Sequence, residues 1–97
     1  MDADINKIFA QLKLAEKHQL VEHWSHNFDY NNRQTTFNIV LLESTNDAQI
    51  QKLKDILTYK YGAQIKNDNY FRALKYFGDK ATSAMHSKRI IAFTVWG

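Results

Sequence analysis

Leu20-Val21-Glu22-His23-Trp24-Ser25-His26-Asn27-Phe28-Asp29-Tyr30-Asn31-Asn32-Arg33-Gln34-Thr35-Thr36-Phe37-Asn38-Ile39-Val40-Leu41-Leu42 is the stretch where an alternating period replaces a helical one. Leu20, Trp24, Phe28 and Tyr30 share one parity, with Glu22 and His26 between them. Val21, His23, Ser25, Asn27 and Asp29 take the other. A period of two predicts a mostly polar strand with one aromatic face. Asn31-Asn32 follows, and Asn tolerates the positive φ of a tight hairpin. Thr35 to Leu42 then reads as a well-buried strand. A two-residue loop pairs Phe28 with Thr35, His26 with Phe37 and Trp24 with Ile39. That register gathers aromatic and β-branched groups on one face.

Upstream, residues 4–17 predict an amphipathic helix. Ile5, Ile8, Phe9 and Leu12 fall at i, i+3, i+4 and i+7, one face of a 3.6-residue period. Asp2 or Asp4 suits its N-cap. Downstream, Ser44-Thr45-Asn46-Asp47 stops the strand and starts a second helix, about 46–61. Asn46 with Gln49 resembles a capping box. Ile50, Leu53, Leu57 and Tyr61 mark the buried stripe, and Gly62 sits where a C′ glycine belongs. Beyond it, residues 63–66 read as a short strand and Asn67-Asp68-Asn69 as a turn; 70–77 fits a strand or a one-face helix through Tyr70, Leu74 and Phe77, and its aromatics favour the strand. Residues 78–87 read as a polar loop with a short helical turn at 81–85. Arg89 to Trp96 reads as an interior strand, because Ile90, Ile91, Ala92, Phe93 and Val95 are nearly continuous and apolar.

The order α-β-β-α-β-(β)-β in 97 residues predicts one α+β domain spanning 1–97, a two-layer sandwich on a mainly antiparallel sheet. It is similar to a ferredoxin-like fold lacking its first strand, or a related variant. Such an analogy carries no function with it. Phe37, Ile39, Leu53, Leu57, Ile91 and Phe93 are the predicted core. Val40 and Leu42 lie on the opposite parity from Phe37, Ile39 and Leu41. If helices cover one sheet face only, one of these sets faces a partner or a second copy.

Composition narrows the chemistry. There is no Cys, which excludes disulfides, thiolate zinc sites and cysteine nucleophiles and suits a cytoplasmic location. The acidic start Met1-Asp2-Ala3-Asp4 is unlike a signal peptide, and no apolar run approaches the ~18 residues of a membrane span. With no Pro and three Gly, there is no PPII linker and no Gly-rich phosphate cradle. The abundance of Asn, Lys and Ile suits a bacterial or phage genome. Net charge is +3, unevenly spread. Residues 1–50 hold four basic and seven acidic groups, and residues 51–97 nine and three. Such asymmetry suits an anionic partner, or mixes into one surface if the halves interleave.

Three chemistries merit testing against the fold. On a helix His23 and His26 would share a face, and His18, Glu22 and His26 would align as a zinc-like triplet, but alternation places His23 and His26 on opposite faces of a strand. No metal or other cofactor is therefore assigned. A metal-independent nuclease would need a base, an acid and a cation, which His26, His86, Lys88 and Arg89 could supply if brought together. Nucleic-acid binding rests on basic groups interleaved with aromatics in the C-terminal half. Arg72, Lys75, Lys80, His86, Lys88 and Arg89 are the candidate binding residues. The leading expectation is a small non-enzymatic accessory or regulatory protein that acts through a protein partner or self-association. Single-stranded RNA or DNA binding is the runner-up, and the nuclease comes third.

Overall fold

The computed structural model describes residues 4–77 and 80–96, with the side chains of 72–86 outside the description. The elements are α1 (Ile5–Lys17), β1 (Val21–Asp29), β2 (Gln34–Leu41), α2 (Asp47–Asp55), β3 (Gln64–Phe77) and β4 (Lys80–Trp96). Every strand pairing is antiparallel, and the sheet order is β1-β2-β4-β3. β2 and β3, joined through α2, therefore run parallel with β4 inserted between them, a split β-α-β unit. This is the predicted α+β two-layer plan. The last strand fills the central place left by the missing first strand of a ferredoxin-like βαββαβ order.

Local chemistry sets the boundaries. The Asp4 carboxylate accepts from the amides of Asn6 and Lys7 at 3.1 and 3.3 Å, capping α1. At α2 the capping box is complete. Gln49 N donates to Asn46 Oδ1 at 2.9 Å, and Asn46 N donates to Gln49 Oε1 at 3.0 Å. A π-helical turn, Ile56–Lys60, extends α2 and keeps Leu57 in the core. Gly62 then takes φ +70°, and Ala63 N reaches back to Leu57 O at 2.8 Å, as a glycine-terminated helix end does.

The first hairpin has the predicted register, with Phe28 opposite Thr35, His26 opposite Phe37 and Trp24 opposite Ile39. Its turn is closed by Asp29, whose carboxylate accepts from the Asn31 and Asn32 amides and from Asn32 Nδ2. The positive φ falls on Arg33, not on either Asn. The Asn32 side chain is the main cause that holds the Asp29 carboxyl below its ordinary pKa.

Both helices lie on one face of the sheet. Ile8, Leu12 and Ala15 from α1, and Ile50, Leu53 and Leu57 from the second helix, bury against Phe37, Ile39, Leu41, Ile91, Phe93 and Val95. All six residues of the predicted core are buried. The Phe37 and Phe93 rings stack across the central strand pair at 4.8 Å. Phe9 of α1 lies over Trp24, His26 and Phe37, and Trp24 Nε1 donates to Glu16.

The C-terminal half differs from its reading in two places. Asn67-Asp68-Asn69 is not a turn. It lies within β3, opposite Ala92, Ile91 and Ile90 of β4, and a bulge at Lys66 absorbs one extra residue. Asp68 is engaged by Lys54 and Arg89. Long-range partners thus replace the local bonds through which Asx residues favour turns. The polar loop 78–87 with its helical turn is likewise overturned. Lys80 to Ser87 belongs to β4, paired with residues 72–77 of β3; Gly78 and Asp79 lie outside the described residues. No Gly or Pro interrupts 80–87, so nothing in the segment breaks a strand once β3 offers its ladder.

Candidate functional site

Pairing between β2 and β4 ends at Val40 and Ile90. Pairing between β3 and β4 continues from Tyr70 with Arg89 out to Phe77 with Lys80. A two-stranded ribbon therefore outruns the sheet, by roughly 25–30 Å at ~3.3 Å per residue. The molecule measures 47 × 32 × 22 Å. Among the described residues, no strand pairs with Lys80–Arg89 on the side away from β3. Every buried apolar side chain among the described residues lies between Ile8 and Ala63 or between Ile91 and Val95.

The foot of the ribbon is held by charge. Lys88 and Arg89 are successive strand residues and face opposite ways. Lys88 is 7% exposed. Its Nζ lies 2.9 Å from Glu22 Oε2 and 4.0 Å from Glu43 Oε1. Glu22 is the extra residue of the bulge between Val21 and His23, so the irregularity in β1 supplies this partner. Arg89 grips Asp68 with two nitrogens at 2.8 Å each and reaches Asp47, at the start of α2, at 3.1 Å. Lys54 Nζ completes the network at 2.7 Å from Asp68. The Arg89 hydrogen bonds hold the Asp68 carboxyl well below the usual carboxylate range against the opposing effect of burial, with Lys54 assisting. The same contact raises the Arg89 pKa. Tyr70 places its ring 5.9 Å from the guanidinium.

The helix-free face of the sheet is a second surface. It presents Thr36, Asn38 and Val40 from β2, Ile90 and Ala92 from β4, and Asn67, Asn69 and Phe71 from β3, by the alternation that buries their neighbours. Val40, Ile90 and Ala92 are half-buried, and Phe71 and Trp96 are 48% and 58% exposed. The opposite-parity set flagged in the sequence is thus partly exposed, on a face that mixes Val40, Ile90, Ala92 and Phe71 with the carboxamides of Asn38, Asn67 and Asn69 and the hydroxyl of Thr36. Between the helices runs a groove of about 250 Å³, lined by Leu14, Ala15, Leu20, Leu53 and Ile56 together with His18.

The candidate binding residues separate into two groups. Lys88 and Arg89 are committed to ion pairs within the fold. Arg72, Lys75, Lys80 and His86 occupy ribbon positions whose side chains lie outside the described residues. His26 and Lys88 do not converge. His26 pairs with Phe37 under α1, whereas Lys88 is tied to Glu22. His23 lies opposite Val40 and His26 opposite Phe37, on opposite faces of β1. Among the described residues no group of three His, Asp or Glu could hold a metal ion. No helix among them is long and apolar enough to cross a membrane. Sequence reasoning missed Glu22, Asp68 and Lys54. The bulge that recruits Glu22 has no sequence signature, and the Asn67-Asp68-Asn69 cluster hid Asp68 behind a turn reading. No protein-family model matches the chain, and no curated protein matches it either.

Proposed function

We propose that this chain is a non-enzymatic accessory or regulatory protein that works by protein–protein contact, with the β3–β4 ribbon as its principal contact element. The observation that carries this reading is the ribbon's geometry. A two-stranded hairpin is marginal alone in water and needs a further strand or layer to bury its apolar groups. This one bears Phe71, Leu74, Tyr76, Phe77 and Met85 in sequence, yet it extends beyond β2. Its foot is fixed by the Lys88 and Arg89 ion pairs, so the ribbon is presented in a defined direction.

The test is a variant in which residues 73–86 are replaced by Asn-Gly, joining Arg72 to Ser87 across their paired positions. Light scattering over a concentration range should show that this variant loses association that the full chain displays. Equal behaviour of the two would remove the ribbon from the function.

One observation favours nucleic acid as a second reading. Arg72, Lys75 and Lys80 oppose a single acid, Asp79, between residues 72 and 87, and an antiparallel ribbon fits a major groove. Protein contact is preferred because Lys88 and Arg89, the two other cations of the candidate set, are neutralised by carboxylates. Binding to single-stranded or duplex nucleic acid should, on this second reading, weaken with salt by about three ionic contacts. No binding at low salt would end it.

A further inference from the structure

We propose that the groove between α1 and α2 binds a small monocarboxylate with a straight apolar chain of about eight carbons, the chain between the helices and the carboxylate at Lys52. The site is distinct from the ribbon and needs no protein partner. Three observations carry it.

The first is the shape. Both helices lie on the sheet, yet they share no extended backbone contact, and a groove of about 250 Å³ remains between them. Packed helices ordinarily fill the space between their axes with side chains. A cavity of about 150 Å³ takes one benzene, so on that scale the groove takes about ten non-hydrogen atoms, the number in an eight-carbon acid. Its walls run from Gln11 to His18 on α1 and from Gln49 to Ile56 on the other helix. Each is about 10 Å long at ~1.5 Å per residue, which suits an extended chain better than a compact ring.

The second is the lining. Leu14, Ala15, Leu20, Leu53 and Ile56 make it apolar. Leu14 is 46% exposed, and no other large aliphatic side chain among the described residues is exposed. An acyl chain laid over it removes that surface from water. The wall is also irregular here. The π turn that ends the second helix begins at Ile56, and such turns recur at functional sites.

The third is the set of polar groups. Gln49 is occupied in the α2 capping box. Gln11, His18 and Lys52 also line the groove, and no hydrogen bond or ion pair among the described residues engages their side chains. Each can donate a hydrogen bond. No Asp or Glu lines the groove. Lys54, two residues on, is neutralised by Asp68 at 2.7 Å, whereas Lys52 is not. An uncompensated ammonium beside an apolar floor selects an anionic head over a neutral or cationic one. One cation matches one negative charge, which favours a carboxylate over a phosphate dianion.

Titration calorimetry of the full chain with octanoate tests the site. Octanoate should bind one to one. Butanoate should bind at least thirtyfold more weakly, since each buried methylene is worth about fourfold. Dodecanoate should gain nothing over octanoate, because its extra methylenes stay in water. 1-Octanol should bind at least fivefold and octylammonium at least tenfold more weakly than octanoate. Leu14 and Lys52 are exposed, so Leu14→Asp and Lys52→Glu should keep the wild-type melting curve. Leu14→Asp should abolish binding. Lys52→Glu should weaken octanoate at least tenfold and turn the preference toward octylammonium. Amide NMR shifts should fall on Leu14, Leu53 and Ile56 and spare Phe71. Octanoate binding no tighter than butanoate, or shifts centred on Phe71, overturns the site. Equal binding of octanoate and octylammonium overturns the carboxylate. If octanoate does not bind and Leu14→Asp abolishes self-association in light scattering, the groove is a protein interface and the ligand site falls, while the protein-contact reading stands.

Discussion

The two hairpins of this sheet use the same antiparallel ladder for different ends. β1–β2 lies under α1 for most of its length, where Phe9 covers Trp24, His26 and Phe37. β3–β4 joins the four-stranded sheet only through residues 64–69 and 90–96, then leaves it. At the departure the holding force changes from apolar packing to ion pairs centred on Lys88 and Arg89. Strand pairing is therefore common to both hairpins. The first contributes Val21, Thr35, Phe37, Ile39 and Leu41 to the buried set, whereas the buried apolar residues of the second among the described ones lie at its base, from Ile91 to Val95, next to the ion pairs of Lys88 and Arg89.

The strongest way to break that comparison is to hollow out each hairpin in turn. Phe37 is fully buried and stacks on Phe93. Phe37→Ala should cost about 3–5 kcal/mol in urea unfolding, the usual loss for a large aromatic removed from a core. Phe71→Ala, at a position 48% exposed, should cost under ~1 kcal/mol. Comparable losses would show that the ribbon foot shares in the core.

Next in size is the charge network. Asp68 accepts from Arg89 and Lys54 with its side chain 18% exposed. Asp68→Asn leaves two cations without their shared carboxylate and should cost about 2 kcal/mol. The pH dependence has a fixed sign. The folded pKa of Asp68 is depressed, so its contribution is fully present above the unfolded value near ~4 and fades as pH falls below it toward the folded value. Wild-type stability should therefore decline below about pH 4 more steeply than that of Asp68→Asn. Parallel curves would deny the network its role in fixing the ribbon.

The first hairpin was legible because two constraints agreed on it. Its aromatic parity and its Asn-rich turn both point to the register that pairs Trp24 with Ile39. The helix starts were legible through Asp4 and the Asn46–Gln49 box, which are local. The 70–77 arm of the ribbon was legible as a strand from its aromatics, but the 80–87 arm was not, because its strand state is decided by pairing with β3 and not by its own pattern. Ala81 to Ser87 has no alternation to declare a buried face. Asp68 misled for a related reason, since the residue types that favour turns also form long-range ion pairs. The candidate cations were found as types but not as partners. Lys88 and Arg89 look like a free basic pair in the sequence, and only the bulge at Glu22 and the placement of Asp68 show them to be internally bound.

A smaller effect tests how the body steers the ribbon. Asn46 caps α2 one residue before Asp47, which accepts from Arg89. Asn46→Ala should cost about 1 kcal/mol, the usual loss for a cap. If the α2 start helps to hold the ribbon foot, the variant should also weaken self-association measured by light scattering. Lost stability with unchanged association would confine the cap to the helix.

The smallest expected effect is the most discriminating. Replacing residues 73–86 by Asn-Gly removes most of the ribbon but leaves Lys88, Arg89 and every described core residue in place. The excision should change the unfolding free energy of the monomer by under ~1 kcal/mol. An isolated two-stranded ribbon contributes little stability of its own, and a shorter connection lowers the entropy cost of closing β3 onto β4. The measurement must be made at a concentration where the full chain is monomeric, because association adds stability by mass action. At higher concentration the two chains should diverge, with the full chain melting at rising temperature and the excised chain unchanged. That divergence would place the ribbon's stabilisation between molecules. A loss of several kcal/mol in the dilute excised chain would place it within one molecule, and the distinction between the two hairpins would fall.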